Sequence, residues 1–324
     1  MRRAALALSS AAWAALVAWL YLPVLRCPTR CFVDPVAVRG PGLGHIELPD
    51  PYLNAWILAW VQHALLENPS GLFDANVFHP ASATLTQSEH MLGVALWLLP
   101  LRLFSSDAVW LHQAAIVGSS LMLALSTGLL VRWLTGSAWA GFAAGAAAVF
   151  MPWRTTELAH VQLMNAQWFP LVWLGIGRVV EAPGRRRDTL LLAAALALQL
   201  LSSFYLAYFL LLSCAGLLLA LWIVRRPSAA AWRQLGVAAL LPLVAFVAMA
   251  LPYLRWRRLQ GFGETRALFD SVPPADVLGL TLPWIPHGLR QLPLETSFAV
   301  PLVLALLALL ALASAMRSAG RSPL

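Results

Sequence analysis

The chain contains no lysine; all 22 of its basic residues are arginine. Charge of either sign is scarce, 11% of 324 residues against 60% apolar. That excludes an ordinary soluble domain, whose apolar share is nearer a half and whose charged share is about a quarter. Only three cysteines are present, and Cys27 and Cys31 in C-P-T-R-C lack the further Cys/His set of a zinc site. The pair forms a disulfide if it lies outside the cytoplasm and stays as two thiols otherwise, while Cys214 sits inside an apolar run. Glycine-rich phosphate loops and H-x-x-x-H spacings are missing too, so no motif backs a nucleotide or metal site. No tandem repeat or low-complexity tail is visible.

What the chain does have is a series of uncharged runs of about 20 residues, the length that crosses a bilayer's hydrocarbon core. The fold class is therefore an all-α polytopic membrane protein, a single membrane domain over 1–324. Its net charge of +8 does not point to nucleic acid. The arginines cluster between apolar runs, at Arg185 to Arg187 and at Arg225 and Arg226, as in cytoplasmic loops. The first run, Ala4 to Leu25 behind Arg2 and Arg3, is longer than a signal-peptide core and ends without an A-x-A-like site, so it reads as an uncleaved anchor.

The positive-inside rule then orders the spans. Crossings are expected at about 4–22, 108–131, 137–151, 161–181, 188–204, 206–224, 233–252 and 298–316, about eight in all, with both termini cytoplasmic. A first outer loop covers 23–107, and a second long one covers 253–297. Pro51–Leu66 and Met91–Phe104 find no place among the crossings and read as juxtamembrane helices at the outer interface. Along the former, Leu53, Trp56, Ile57, Trp60, Val61 and Ala64 recur at helical spacing, with Asn54 and Gln62 elsewhere on the helix. Residues not used to build this topology agree with it: 12 of the 14 acids and all seven histidines fall on its outer side or the outer end of a helix.

Ionisable groups converging at a membrane face are candidates for function. The first loop offers Asp50, Asn54, Glu89 and His90 among others, and "MPWRTTELAHVQ" adds Arg154, Glu157, His160 and Gln162. Asp50 before Pro51 also suits an N-cap, Glu89 and His90 suit a solvated helix start, and Arg154 and His160 suit interfacial anchors. The "RWRR" stretch, Arg255 to Arg258, lies on the side assigned as outside, where arginine is costly to translocate. Arg255, Arg257 and Arg258 fit lipid head groups in general or the phosphate of a lipid-linked substrate, since guanidinium pairs well with phosphate oxygens.

With these residues in place the chain resembles the bacterial GT-C-type integral membrane glycosyltransferases. The resemblance rests on "DPYLNAWILAW", "LFDANVFHPASATLTQSEHMLG" and "MPWRTTELAHVQLMNAQWFPL", in that order, and runs from about residue 1 to 300. It implies a first helix, a large outer loop with an acid and juxtamembrane helices, then a bundle of spans in a bacterial inner membrane. It matches Asp50 to the outer-loop catalytic acid, which serves as base or orients the acceptor. Members are usually longer, with more spans and often a further outer domain. This sequence is accordingly expected to be a compact version, a fragment or half of a split system, with a protein partner supplying the missing C-terminal part.

The function expected is transfer of a sugar from a polyprenyl-phosphate-linked donor at the outer face. Asp50 is the base, and Asn54, Glu89, His90, Arg154, His160, Gln162, Arg255, Arg257 and Arg258 bind substrate. No metal ligands are assigned; a divalent cofactor is compatible with the acids and histidines, but no spacing calls for one. Partners are the lipid-linked donor and membrane lipids. The competing expectations are a non-catalytic lipid or polysaccharide transporter, marked by paired broken helices with mid-membrane charge, and an inactive truncated paralogue serving as a scaffold.

Overall fold

The computed structural model describes residues 2–32, 49–151, 154 and 157–260. Asp34, His45, Glu47, most of the 253–297 segment and the expected 298–316 crossing lie outside them. The described residues contain helices and turns and no strand, so this part of the chain is all-α.

Helix α1, Arg2–Leu20, is followed by the single turn α2, Leu22–Leu25. Beyond it Cys27 and Cys31 are joined in a disulfide, the first of the two alternatives the sequence left open. Helix α3 spans Pro49–Glu67, and α4, Leu92–Leu98, runs into a 3₁₀ turn at Leu99–Leu103. The long helix α5, Ala108–Thr135, starts where Asp107 accepts from the Trp110 amide at 2.8 Å and stops at Gly136, whose φ of 71° ends a helix without steric cost. Ser137 then caps α6, Ala138–Val149, by accepting from Ala140 N–H.

These two antiparallel helices approach closely because glycine lines their contact. A Cβ on Gly145 would come within 2.5 Å of the Ala124 carbonyl and 2.7 Å of the Trp13 ring. Trp13 of α1 fills this notch, donating its indole N–H to the Phe142 carbonyl at 3.2 Å and stacking on the Phe142 ring.

The chain continues through the short α7, Val161–Met164, then α8, Phe169–Glu181, and α9, Arg186–Leu200. Helix α10, Phe204–Arg225, is capped by Ser203, and α11 runs from Ala229 to Gln260 across Pro242 and Pro252. Two apolar cores result. One joins α1, α3, α4, α5 and the 158–164 segment; the other joins α8 to α11, and Trp97 packs against both.

Three helices among the described residues are long and apolar enough to cross a membrane: Ala108–Thr135, Phe204–Arg225 and Ala229–Trp256. That supports a membrane protein but is fewer than the eight crossings expected. The expected span at 161–181 is broken at 165–168, and α6, α8 and α9 have only 12, 13 and 15 residues. At 1.5 Å per residue these cover roughly 18–23 Å of a core about 30 Å thick. The break is stabilised by side chains. Gln199 donates to the freed Asn165 carbonyl at 3.0 Å, and Trp97 and Gln167 both donate to Asn165 Oδ1. Amides in an apolar run thus replace the backbone bonds that a straight helix would make.

Two further expectations change. Helix α3 does not leave its polar residues off to one side: Asn54, Ile57, Leu58, Val61 and Gln62 are all buried, while Leu53 is exposed. Gln62 is tolerated inside because its amide donates to the Ala95 carbonyl of α4 at 3.2 Å. At the far end, α11 continues through Gln260, so the first residues of the expected 253–297 loop are helical.

The Gly145 notch gives a direct test. Gly145→Val should lower the melting temperature in detergent by an amount corresponding to about 1–3 kcal/mol, the usual cost of overpacking. Gly216→Val, at a glycine with nothing within 4 Å of the added carbon, should melt like the parent. Equal melting of the two variants would contradict the packing described.

Candidate functional site

The site is built on the start of α3. Asp50 and Asn54 stand four residues apart on one face, and that face grips the 157–160 segment. Asn54 donates its amide N–H to the Ala159 carbonyl at 2.9 Å. Asp50 Oδ2 lies 2.9 Å from His160 Nε2, and the other ring nitrogen, Nδ1, lies 2.9 Å from Glu157 Oε2. Exposure is graded along this line: the side chain of Asp50 is 37% exposed, that of His160 24% and that of Glu157 9%.

The three groups constrain one another's protons. Ionised carboxylates only accept, and a neutral imidazole carries one N–H. Hydrogen bonds at both ring nitrogens therefore require an imidazolium between two carboxylates, or a neutral ring with one carboxyl protonated. Either way the trio carries one net negative charge and a proton positioned between Asp50 and Glu157. Asp50 lies one residue inside the helix, not at the cap, and its hydrogen-bond partner among the described residues is His160.

Arg154 is brought into the same segment but not to its surface. It is 1% exposed. It donates to the Met164 carbonyl at 2.8 Å and to the hydroxyls of Ser120 and Ser119 on α5 at 2.8 and 3.4 Å. Burial pulls its pKa below the usual arginine value, and the Tyr21 hydroxyl acts in the opposite sense. Among the described residues no carboxylate pairs with it. Gln162 is half-buried on α7, its Oε1 without a hydrogen-bond partner among the described residues.

Glu89 and His90 sit at the start of α10, not in solvent. Glu89 Oε1 accepts from the Ser203 hydroxyl at 3.1 Å and from the Phe204 amide, where the helix N-terminus favours negative charge. Burial nevertheless raises its pKa, with those hydrogen bonds opposing. His90 is 2% exposed among Phe73, Phe204 and Tyr253, and its Nδ1 accepts from the Leu92 amide at 3.0 Å. Burial lowers its pKa to about 4. Tyr253 donates to the Ser88 carbonyl at 2.9 Å, tying the end of α11 to this corner. Arg255 and Arg258 are exposed two and five residues beyond; the Arg257 side chain lies outside the described residues.

Glu157 was visible in the sequence three residues before His160 but was not assigned a role there. The Tyr21, Ser119 and Ser120 hydroxyls around Arg154 carried no sequence signal. His112 is fully buried on α5, with neither ring nitrogen hydrogen-bonded among the described residues and its ring edge-on to Phe32. Among the described residues no group of three His, Cys, Asp or Glu side chains is placed to hold a metal ion. Comparison of the chain with protein-family models, curated proteins and solved structures finds no match.

His90 gives a pH prediction. Its folded pKa of about 4 lies below the 6.5 of the unfolded chain. Between those values the unfolded state binds more protons, so stability is full above about pH 6.5 and falls as pH drops towards 4. The loss amounts to on the order of 3 kcal/mol. Glu89, with its pKa raised, works in the opposite direction, losing stability as pH rises through its folded value. His90→Asn keeps an acceptor for the Leu92 amide and removes only the histidine titration, so its melting temperature should fall less than the parent's between pH 6.5 and 4. Parallel melting profiles would rule out a buried neutral histidine.

Proposed function

We propose that the protein is a polytopic membrane glycosyltransferase of GT-C type that moves a sugar from a polyprenyl-phosphate donor to a hydroxyl acceptor at the outer face of a bacterial inner membrane. The observation that carries the proposal is the Asp50–His160–Glu157 line. It provides a partly exposed carboxylate held in place by an imidazole that a second, more buried carboxylate orients. Asp50 takes the acceptor's hydroxyl proton as that oxygen bonds to the anomeric carbon. The bond from that carbon to the phosphate oxygen breaks, and its electron pair leaves on the lipid phosphate.

His160 and Glu157 are positioning residues, and Asn54 holds the carbonyl between them. Arg154 fixes this segment from inside and does not meet the phosphate in this arrangement. Exposed Arg255 and Arg258 are the better candidates for that contact, as guanidinium groups that stabilise developing phosphate charge. The full reading has about eight crossings, with the Asp50 end of the bundle outside.

A transporter is the second reading, and the break at 165–168 favours it, because discontinuous helices line transport sites. The break carries amides and no charge, and its carbonyl is already bonded to Gln199. A donor lipid moved across proteoliposomes without sugar transfer would select that reading.

Asp50→Asn is the central test. Asparagine keeps the shape and can still accept from His160 but cannot take up a proton. The variant should insert normally, bind polyprenyl phosphate and lose about 10²–10⁴-fold in transfer rate, the usual range of a general base. Near-parental transfer of radiolabelled sugar would remove the catalytic assignment. Reporters fused at Leu85 should read outside and those at Gly184 and Ser228 inside; the reverse would place Asp50 in the wrong compartment for this donor.

A further inference from the structure

Helix α8 carries the chain about 18 Å away from the Asp50 site, and at its far end two grooves adjoin. The larger, about 770 Å³, lies between the ends of α5, α8 and α10 and is lined by Trp133, Trp173, Val180 and Leu217 with Arg225 and Arg226. The second, about 500 Å³, lies between Trp222, Ile223 and Trp232 and shares Arg226 and Pro227 with the first. Both fall in the roughly 300–1,000 Å³ range of ligand sites.

The walls are fixed. The Trp173 indole donates to the Ser213 hydroxyl at 3.2 Å. The Trp133 ring lies against Gly177, where an added Cβ would come within 2.2 Å of it. The outward face of α10 beside the grooves is apolar, with Leu219, Trp222 and Ile223 all more than half exposed. A ligand here meets hydrocarbon-compatible surface along the helices and cationic groups at their end.

The two arginines set its charge. Both are exposed, and among the described residues neither makes an ion pair, although Glu181 lines the same groove. One arginine in the last turn of α10 has a simple role, since positive charge complements the carbonyl end of a helix. Arg225 fills it. Arg226 lies beyond the helix with a φ of 45°, a left-handed conformation that glycine adopts freely and other residues adopt at a cost. The helix end alone does not account for this second guanidinium, which borders both grooves.

We propose that this end of the bundle binds one anionic diacyl phospholipid. One acyl chain lies in each groove, and the phosphate rests on Arg226 with Arg225 beside it in charge-assisted hydrogen bonds. Trp222 and Trp232 sit at head-group level, as indoles do at membrane interfaces. The site is separate from the Asp50 site and does not depend on the activity proposed for it.

The test uses the full chain purified in a neutral detergent, with lipid retention read by native mass spectrometry. The probes are phosphatidylglycerol and phosphatidylcholine of identical acyl chains, and inorganic phosphate as competitor. The first bound lipid should be phosphatidylglycerol, with about tenfold preference. Arg225→Gln with Arg226→Gln should abolish that preference. Leu217→Trp, which fills the larger groove and leaves both arginines, should weaken phosphatidylglycerol retention about tenfold. Gel filtration and melting check folding; if the double variant fails to fold, the parent's preference and Leu217→Trp decide. Equal retention of the two lipids, complete displacement by millimolar inorganic phosphate, or parental retention by Leu217→Trp would each overturn the proposal.

Discussion

A guanidinium enclosed with no carboxylate partner among the described residues is the constraint on which the surroundings of Asp50 depend. An isolated buried cation is strongly unfavourable unless its donors are taken up by hydrogen bonds. Arg154 meets most of that demand with the Met164 carbonyl and two hydroxyls of α5, and Tyr21 of the α1–α2 junction adds to them, while its buried Nε has no partner among the described residues. The bond to Met164 closes a ten-residue loop upon itself, and the bonds to α5 fix that loop against the bundle. Within it lie Ala159 and His160, which bond to α3, and Glu157, which bonds to His160 from behind. The arginine thus sets where the histidine can be, although it never reaches the surface where chemistry would occur.

The second organising feature is the polarity of the bundle along its axis. Successive helices pack antiparallel, so the starts of α5, α8 and α10 and the ends of α6, α9 and α11 share one end. That end holds Asp50, Glu89, His90, Glu157 and His160. The other end holds Arg132, Arg178, Arg185 to Arg187, Arg225 and Arg226, three of them in the last turns of α5, α8 and α10. The helix dipoles favour this arrangement at both ends, with Glu89 at the positive end of α10 and arginine at the negative ends. The charge separation used for topology is therefore also locally stabilising.

Composition was enough to make the helical membrane class legible, because uncharged runs of this length have few other uses. Positions of the long helices α5, α10 and α11 were legible for the same reason. The break at 165–168 was not, since hydropathy averages over Asn165 and Gln167 and misses that their amides replace backbone bonds. Burial of Asn54 and Gln62 on α3 was not legible either, because Trp56 and Trp60 pointed to a membrane interface. Their indoles instead donate to Asn76 Oδ1 and the Leu72 carbonyl, within the protein. Within the site, Asp50, Asn54 and His160 were legible as polar residues in apolar surroundings, and α3 and the 157–160 segment do bring them together. Arg154 could not be placed from sequence, because whether a guanidinium faces solvent or the interior depends on hydroxyls 34 and 35 residues away.

The joint grip of Asp50 and Asn54 ties charge to geometry. Two residues four apart on a helix point to one side, so both contacts to the 157–160 segment hold or fail with the rotation of α3. Asn54 reads a backbone carbonyl and is indifferent to protonation. Asp50 reads an imidazole, and its contact depends on where the shared proton resides. The neutral contact keeps the helix face in register while the charged one changes. Asn54 therefore holds the segment against α3 whatever the charge at the opening of the site. The gradient of exposure from Asp50 through His160 to Glu157 leaves Asp50 as the carboxylate that meets solvent, with Glu157 enclosed behind the imidazole.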